Sequence, residues 1–78
     1  MHRMNEPWTA DVVGRMHLYG ITQSELAKKC NYTPQYINQI LNCKKSFSSD
    51  ELKIKTKKAI YNSLTELEQE VRDERLFD

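Results

Sequence analysis

Glycine and proline are scarce in this chain, two of each in 78 residues, and nowhere do β-branched and aromatic residues alternate with period two for long. Hairpins lean on glycine-bearing turns and half-buried strands on alternation, so a sheet protein is excluded and an all-α one expected. Cysteine is as rare. Cys30 and Cys43 are too few for the disulfide framework of a small secreted domain, and neither stands in a Cys-x-x-Cys or His-x-x-x-His zinc spacing. Both are expected to be structural, with no metal and no cofactor. No apolar run approaches the roughly 18 residues of a membrane span, and the opening Met-His-Arg-Met-Asn-Glu-Pro lacks the apolar centre of a signal peptide. The expectation is a soluble, cytoplasmic protein without a membrane partner. A glycine-rich phosphate loop is missing too, and Asp11, His17 and Ser24 do not stand at the spacing of any hydrolytic motif. Nothing points to an enzyme or to a small-molecule ligand.

What is present is an ordinary globular balance, 38% hydrophobic and 29% charged. The length allows one domain, residues 1–78, and a chain this short buries only about 60% of the surface its unfolded form exposes. The net charge of +1 conceals a division. Residues 1–21 are balanced, residues 22–58 carry eight lysines against three acids, and residues 59–78 carry two arginines against six acids. A basic middle suits an anionic partner, and the acidic tail points elsewhere.

One start signal recurs: an apolar residue, then Thr or Ser, then a run whose fourth position is apolar again. This is the hydrophobic staple around an N-cap. Trp8 and Val13 flank Thr9, Ile21 and Leu26 flank Thr22, Tyr32 and Ile37 flank Thr33, and Phe47 and Leu52 flank Ser48. Thr22 with Glu25, and Ser48 with Glu51, also complete a capping box. The spacing predicts a first helix from Pro7 or Thr9 to Tyr19, ended by Gly20, and a short second helix over residues 22–30, ended by Asn31. A third begins at Thr33 with Pro34 in the first helical position and runs to Leu41 or Asn42. From residue 49 to residue 74 a fourth helix keeps its phase through Leu52, Thr56, Ala59, Ile60, Leu64, Leu67 and Val71. A break at Asn62-Ser63, with Ser63 capping a fifth helix over Glu66, is the alternative.

On the third helix Ile37, Ile40 and Leu41 share one side, while Gln35, Asn38, Gln39 and Asn42 share the other. A merely solvated face would carry Lys and Glu, so four carboxamides with no charge among them stand out. Two short helices joined at Asn31-Tyr32 have the geometry of a helix-turn-helix. The second helix of such a pair lies in the major groove and needs an outward stripe of flat hydrogen-bonding side chains. Gln35, Asn38 and Gln39 are the candidate base contacts, and amides without arginine favour adenine, hence A·T pairs. Tyr36 either touches a thymine methyl or a phosphate, or packs over the turn.

The stretch from Thr22 to Asn42 resembles the phage-repressor and Cro class of DNA-binding domains, the Xre family, with Gln23, Leu26, Ala27, Cys30, Ile37, Ile40 and Asn42 in register. Asn31 stands where the family turns at glycine, and Cys43 where a glycine follows the second motif helix. The resemblance covers residues 8–58. It implies a lambda-repressor-like helix-turn-helix bundle of four to five helices, here with an extended C-terminal helix over residues 59–75, and a phosphate contact from Gln23. Free N–H groups and the helix dipole favour an anion at the same place, with Thr22 and Ser24 assisting. Asn42, Lys44 and Lys45, at and just past the recognition helix, complete the candidate phosphate contacts.

Ile60, Leu64, Leu67 and Val71 have the 4,3,4 spacing of a coiled-coil seam, the candidate homodimer interface, with packing on the chain's own domain as the alternative. Three functional readings follow. The first is a sequence-specific regulator of transcription on double-stranded DNA, from a bacterium, phage or mobile element, acting as a dimer. The second is a protein-interaction module, an antitoxin or anti-repressor, on the same scaffold. The third is a recombination accessory factor that bends DNA.

Overall fold

A computed structural model of the chain describes residues 7–42 and 47–77, with side chains for 8–42 and 47–74. It is all-helical over those residues: α1 (Pro7–Tyr19), α2 (Gln23–Cys30), α3 (Pro34–Leu41) and α4 (Asp50–Phe77). None of these helices is long and apolar enough to cross a membrane.

The starts at Thr22 and Thr33 form as the sequence predicts. Thr22 Oγ1 accepts from the Glu25 N–H, and Glu25 Oε1 accepts from the Thr22 N–H at 2.9 Å, so the capping box is complete. Thr33 Oγ1 accepts from the Tyr36 N–H at 3.1 Å, with Pro34 next in the chain. Two expected caps are corrected. α1 is already helical at Pro7, the first described residue, so Thr9 lies inside the helix, 1% exposed, and is not its cap. A helical backbone at residue 8 brings the Trp8 indole inward onto Tyr61, ring centres 6.4 Å apart. At α4 the cap is Ser49, whose Oγ accepts from the Leu52 N–H at 3.1 Å; the Ser48–Glu51 box does not form. Thr56, Ile60 and Leu64 of this helix face inward, and Leu52 is 37% exposed.

The helix ends after α1 and α2 follow one pattern. Gly20 (φ 67°) and Asn31 (φ 65°) take the left-handed conformation, and the next residue's N–H reaches back five positions, Ile21 to Met16 O and Tyr32 to Ala27 O. This is the Schellman closure; asparagine is one of the few residues besides glycine that tolerate it. Asn42 does not repeat it. Its φ is −96°, and its Nδ2 donates to Asn38 O, so the exit from α3 is not left-handed at that residue.

The core gathers Trp8, Val12 and Met16 of α1, Ile21, Leu26 and Ala27, then Ile37, Ile40 and Leu41 of α3, and Ile60 and Leu64 of α4. α4 is one unbroken helix. Ser63 is therefore no cap but a buried residue beside Cys30, whose Sγ donates to Ala59 O. Burial pushes the Cys30 thiol up, with the hydrogen bond from Ser63 opposing.

Along α1 the partners on α4 ascend in step. Trp8 meets Tyr61, Arg15 meets Glu68 and Tyr19 meets Arg72, so the two helices run parallel. The expected dimer seam is corrected by this packing: Ile60 and Leu64, both 0% exposed, are consumed by the domain's own core, and Leu67 packs against it. A 28-residue helix is about 42 Å long, which accounts for the molecule's longest extent of 44 Å.

Candidate nucleic-acid interface

The recognition element is built from its buried side outward. Ile37 (0%), Ile40 (3%) and Leu41 (6%) clamp α3 against α1 and α2, and the left-handed Asn31 sets the angle at which it leaves α2. Burying one side this completely fixes the rotation of the helix, so Gln35, Asn38, Gln39 and Asn42 all face solvent. Gln23, Pro34, Gln35, Asn38 and Gln39 line one open recess, and among the described residues none that lines it carries a formal charge.

Two links within this surface are not evident from sequence spacing. Asn38 Nδ2 donates to Gln23 Oε1 at 3.1 Å, tying the first residue of α2 to the middle of α3. Asn42 Nδ2 donates to Asn38 O at 2.9 Å, so the Asn42 amide is folded back on its own helix. Recurrence of amides at both positions was the available signal for the first link. Their meeting depends on the interhelical angle, which no periodicity encodes.

Tyr36 is half-buried, with its ring edge-on to Tyr32 at 5.0 Å between centres. The ring packs over the turn, the second of the two arrangements open for it. At the start of α2 the Thr22 hydroxyl is engaged by the cap: it accepts from Glu25 N–H and donates to Glu25 Oε1 at 3.1 Å. That leaves the N–H groups of Gln23 and Ser24, ahead of the capped position, as the outward donors of the helix end. Lys44 and Lys45 lie outside the described residues. Lys29, by contrast, faces α4, paired with Glu70 at 2.6 Å, and Lys57 sits 6.0 Å from the Trp8 ring centre.

The helix-turn-helix family model matches residues 15–54, just over half the chain and the whole of this element. The chain belongs to the helix-turn-helix family, of the Cro and phage-repressor type. This is a family of DNA-binding domains. No curated protein and no solved structure matches the chain. In this helix-turn-helix protein the family's match ends in the second turn of α4, so most of that helix lies beyond it. Among the described residues no three His, Cys, Asp or Glu side chains cluster as metal ligands.

Proposed function

We propose that this chain is a sequence-specific regulator of transcription, of bacterial, phage or mobile-element origin, whose α3 reads A·T-containing base pairs in the major groove. The observation that carries the reading is the exposed amide stripe of Gln35, Asn38 and Gln39 on a helix whose opposite side is locked in the core. Each bidentate amide-to-adenine pair discriminates by about 1–3 kcal/mol. Gln23 and Ser24 hold a phosphate at the start of α2, and Lys44 and Lys45 supply charge beyond α3.

A single short helix reads few bases, so the working form is a homodimer with two recognition helices about 34 Å apart on an inverted repeat. With Ile60 and Leu64 inside the monomer core, its interface lies elsewhere on the surface.

Selection from a random duplex pool tests this, with wild type beside a Gln35→Ala, Gln39→Ala variant at fixed salt. An enriched inverted A·T-containing motif, relaxed in the variant, is the expected result. One observation favours a second reading, a protein-interaction module: among the described residues, no lysine or arginine lines the recess around Gln23 and Gln39. A folded protein that enriches nothing at low salt would overturn the DNA reading and favour that one instead.

A further inference from the structure

Gln23 forms a wall of two recesses. One is the amide-lined surface of α3. The other is bounded by Val13, Met16 and His17 of α1 together with Ile21 and Leu41, so the end of α1 shares a hollow with the start of α2. At about 170 Å³ this hollow is smaller than the roughly 300–1,000 Å³ of a small-molecule pocket, and it suits a single group on a larger partner. His17 is exposed in the last turn of α1 and, with Gln23, supplies the polar side chains among the described residues on these walls.

We propose that His17 is a proton-gated contact to the DNA backbone: once protonated, its ring donates to the phosphate strand that meets the start of α2, so binding tightens as pH falls. The proposal rests on the DNA reading above, which brings a phosphate to Gln23 and Ser24. Imidazole gains its charge between about pH 8 and about pH 5, and the charged ring has two N–H donors. The carbonyl end of α1, where His17 stands, favours that charge. Nothing on the walls competes for it. Gln23 from α2, Leu41 from α3 and Ile21 from the turn do not titrate, and among the described residues no carboxylate lines the hollow. The neighbouring acids are engaged elsewhere, Asp11 by Tyr61, Glu25 by the Thr22 cap and Glu68 by Arg15. Lys44 and Lys45, which follow α3, lie outside the described residues.

Salt titrations of binding at about pH 5.5 and about pH 8 test it, on the selected duplex and on one of mixed sequence, for wild type, His17→Gln and His17→Lys. Thermal melts at both pH values show that each protein is folded. One more neutralised phosphate steepens the fall of log K against log salt by about 0.9. On going to the lower pH, the steepening in wild type should exceed that in His17→Gln by about this amount. Comparison with His17→Gln removes the titration of His2, which all three proteins share. The excess should be equal on both duplexes, because a phosphate contact carries no sequence information. His17→Lys, charged throughout, should already be steeper than His17→Gln at about pH 8. Equal steepening in wild type and His17→Gln, His17→Lys no steeper than His17→Gln, or an excess confined to the selected duplex, each overturns the proposal. A wild type that binds neither duplex at low salt is a separate failure, of the DNA reading beneath it.

Discussion

Arg15 is one of several polar side chains that join α1 to α4. Its guanidinium grips Glu68 with both arms, Nε at 2.7 Å and an Nη at 2.6 Å, and lies 5.6 Å from the Tyr61 ring centre. The hydrogen bond to Glu68 holds the guanidinium above its ordinary pKa, against an opposing effect of burial. Glu68 is 6% exposed. Removing its partner strands a buried carboxylate, so Arg15→Ala should destabilise by about 3 kcal/mol in urea unfolding, whereas Arg15→Met with Glu68→Leu should recover most of that. Tyr61 and Cys30 make a second prediction. Burial raises both, and the hydrogen bond to Asp11 raises Tyr61 further. Each keeps its proton folded at a pH where the unfolded chain has released it. The stability they contribute is whole below the ordinary thiol value of about 8.5 and is lost as pH rises through the folded values. Urea midpoints should fall from about pH 8.5 upward, and Cys30→Ala should flatten the first part of that fall.

At the scale of the element, helix ends carry the decisive local chemistry. Ser48 and Ser49 are both competent caps, and either would place a helix over residues 50 onward. Only Ser49 bonds the Leu52 N–H. Ser49→Ala should therefore cost about 1 kcal/mol in chemical unfolding, and Ser48→Ala only a few tenths at most. Asn31 is the hinge between α2 and α3 at φ 65°. Asn31→Ala should cost about 1 kcal/mol, because a Cβ without a polar group to offset it is strained there, while Asn31→Gly should be near neutral. If Asn31→Ala unfolds at the wild-type midpoint, the left-handed turn does not hold the angle of α3.

For the whole molecule, α4 is the spine that makes a stable domain of a short motif. It packs on α1 and α2, and the family match covers only its first turns. Leu64→Ala should cost about 3 kcal/mol, a large part of what a domain this small holds, and Val71→Ala under about 1 kcal/mol. Both should be read by urea unfolding together with sedimentation. A coiled-coil seam would instead show its first effect on mass. Binding is the other whole-molecule property. If about four phosphates per subunit are neutralised, log K should fall against log salt with a slope of about −3.6 per subunit, doubled in a dimer. A slope near zero would mean that the lysine-rich middle of the chain does not meet the phosphate backbone.

Four helices, the turn at Asn31, the caps at Thr22 and Thr33 and the amide stripe were all legible in residue order, because each rests on neighbours within one or two turns. A cap bonds three residues ahead, and a stripe follows from 3.6 residues per turn. The cap of α4 lies one residue later than the local rule suggested, since two adjacent serines satisfy that rule and only Ser49 bonds the helix. The fate of Ile60, Leu64, Leu67 and Val71 was beyond reach for a related reason. An apolar stripe has the same spacing whether it faces its own domain or a second copy. Periodicity along the chain thus settles what each helix presents. Packing between helices, set by crossing angle and by which residues lie opposite, settled what meets: Arg15 with Glu68, Tyr19 with Arg72, and Gln23 with Asn38.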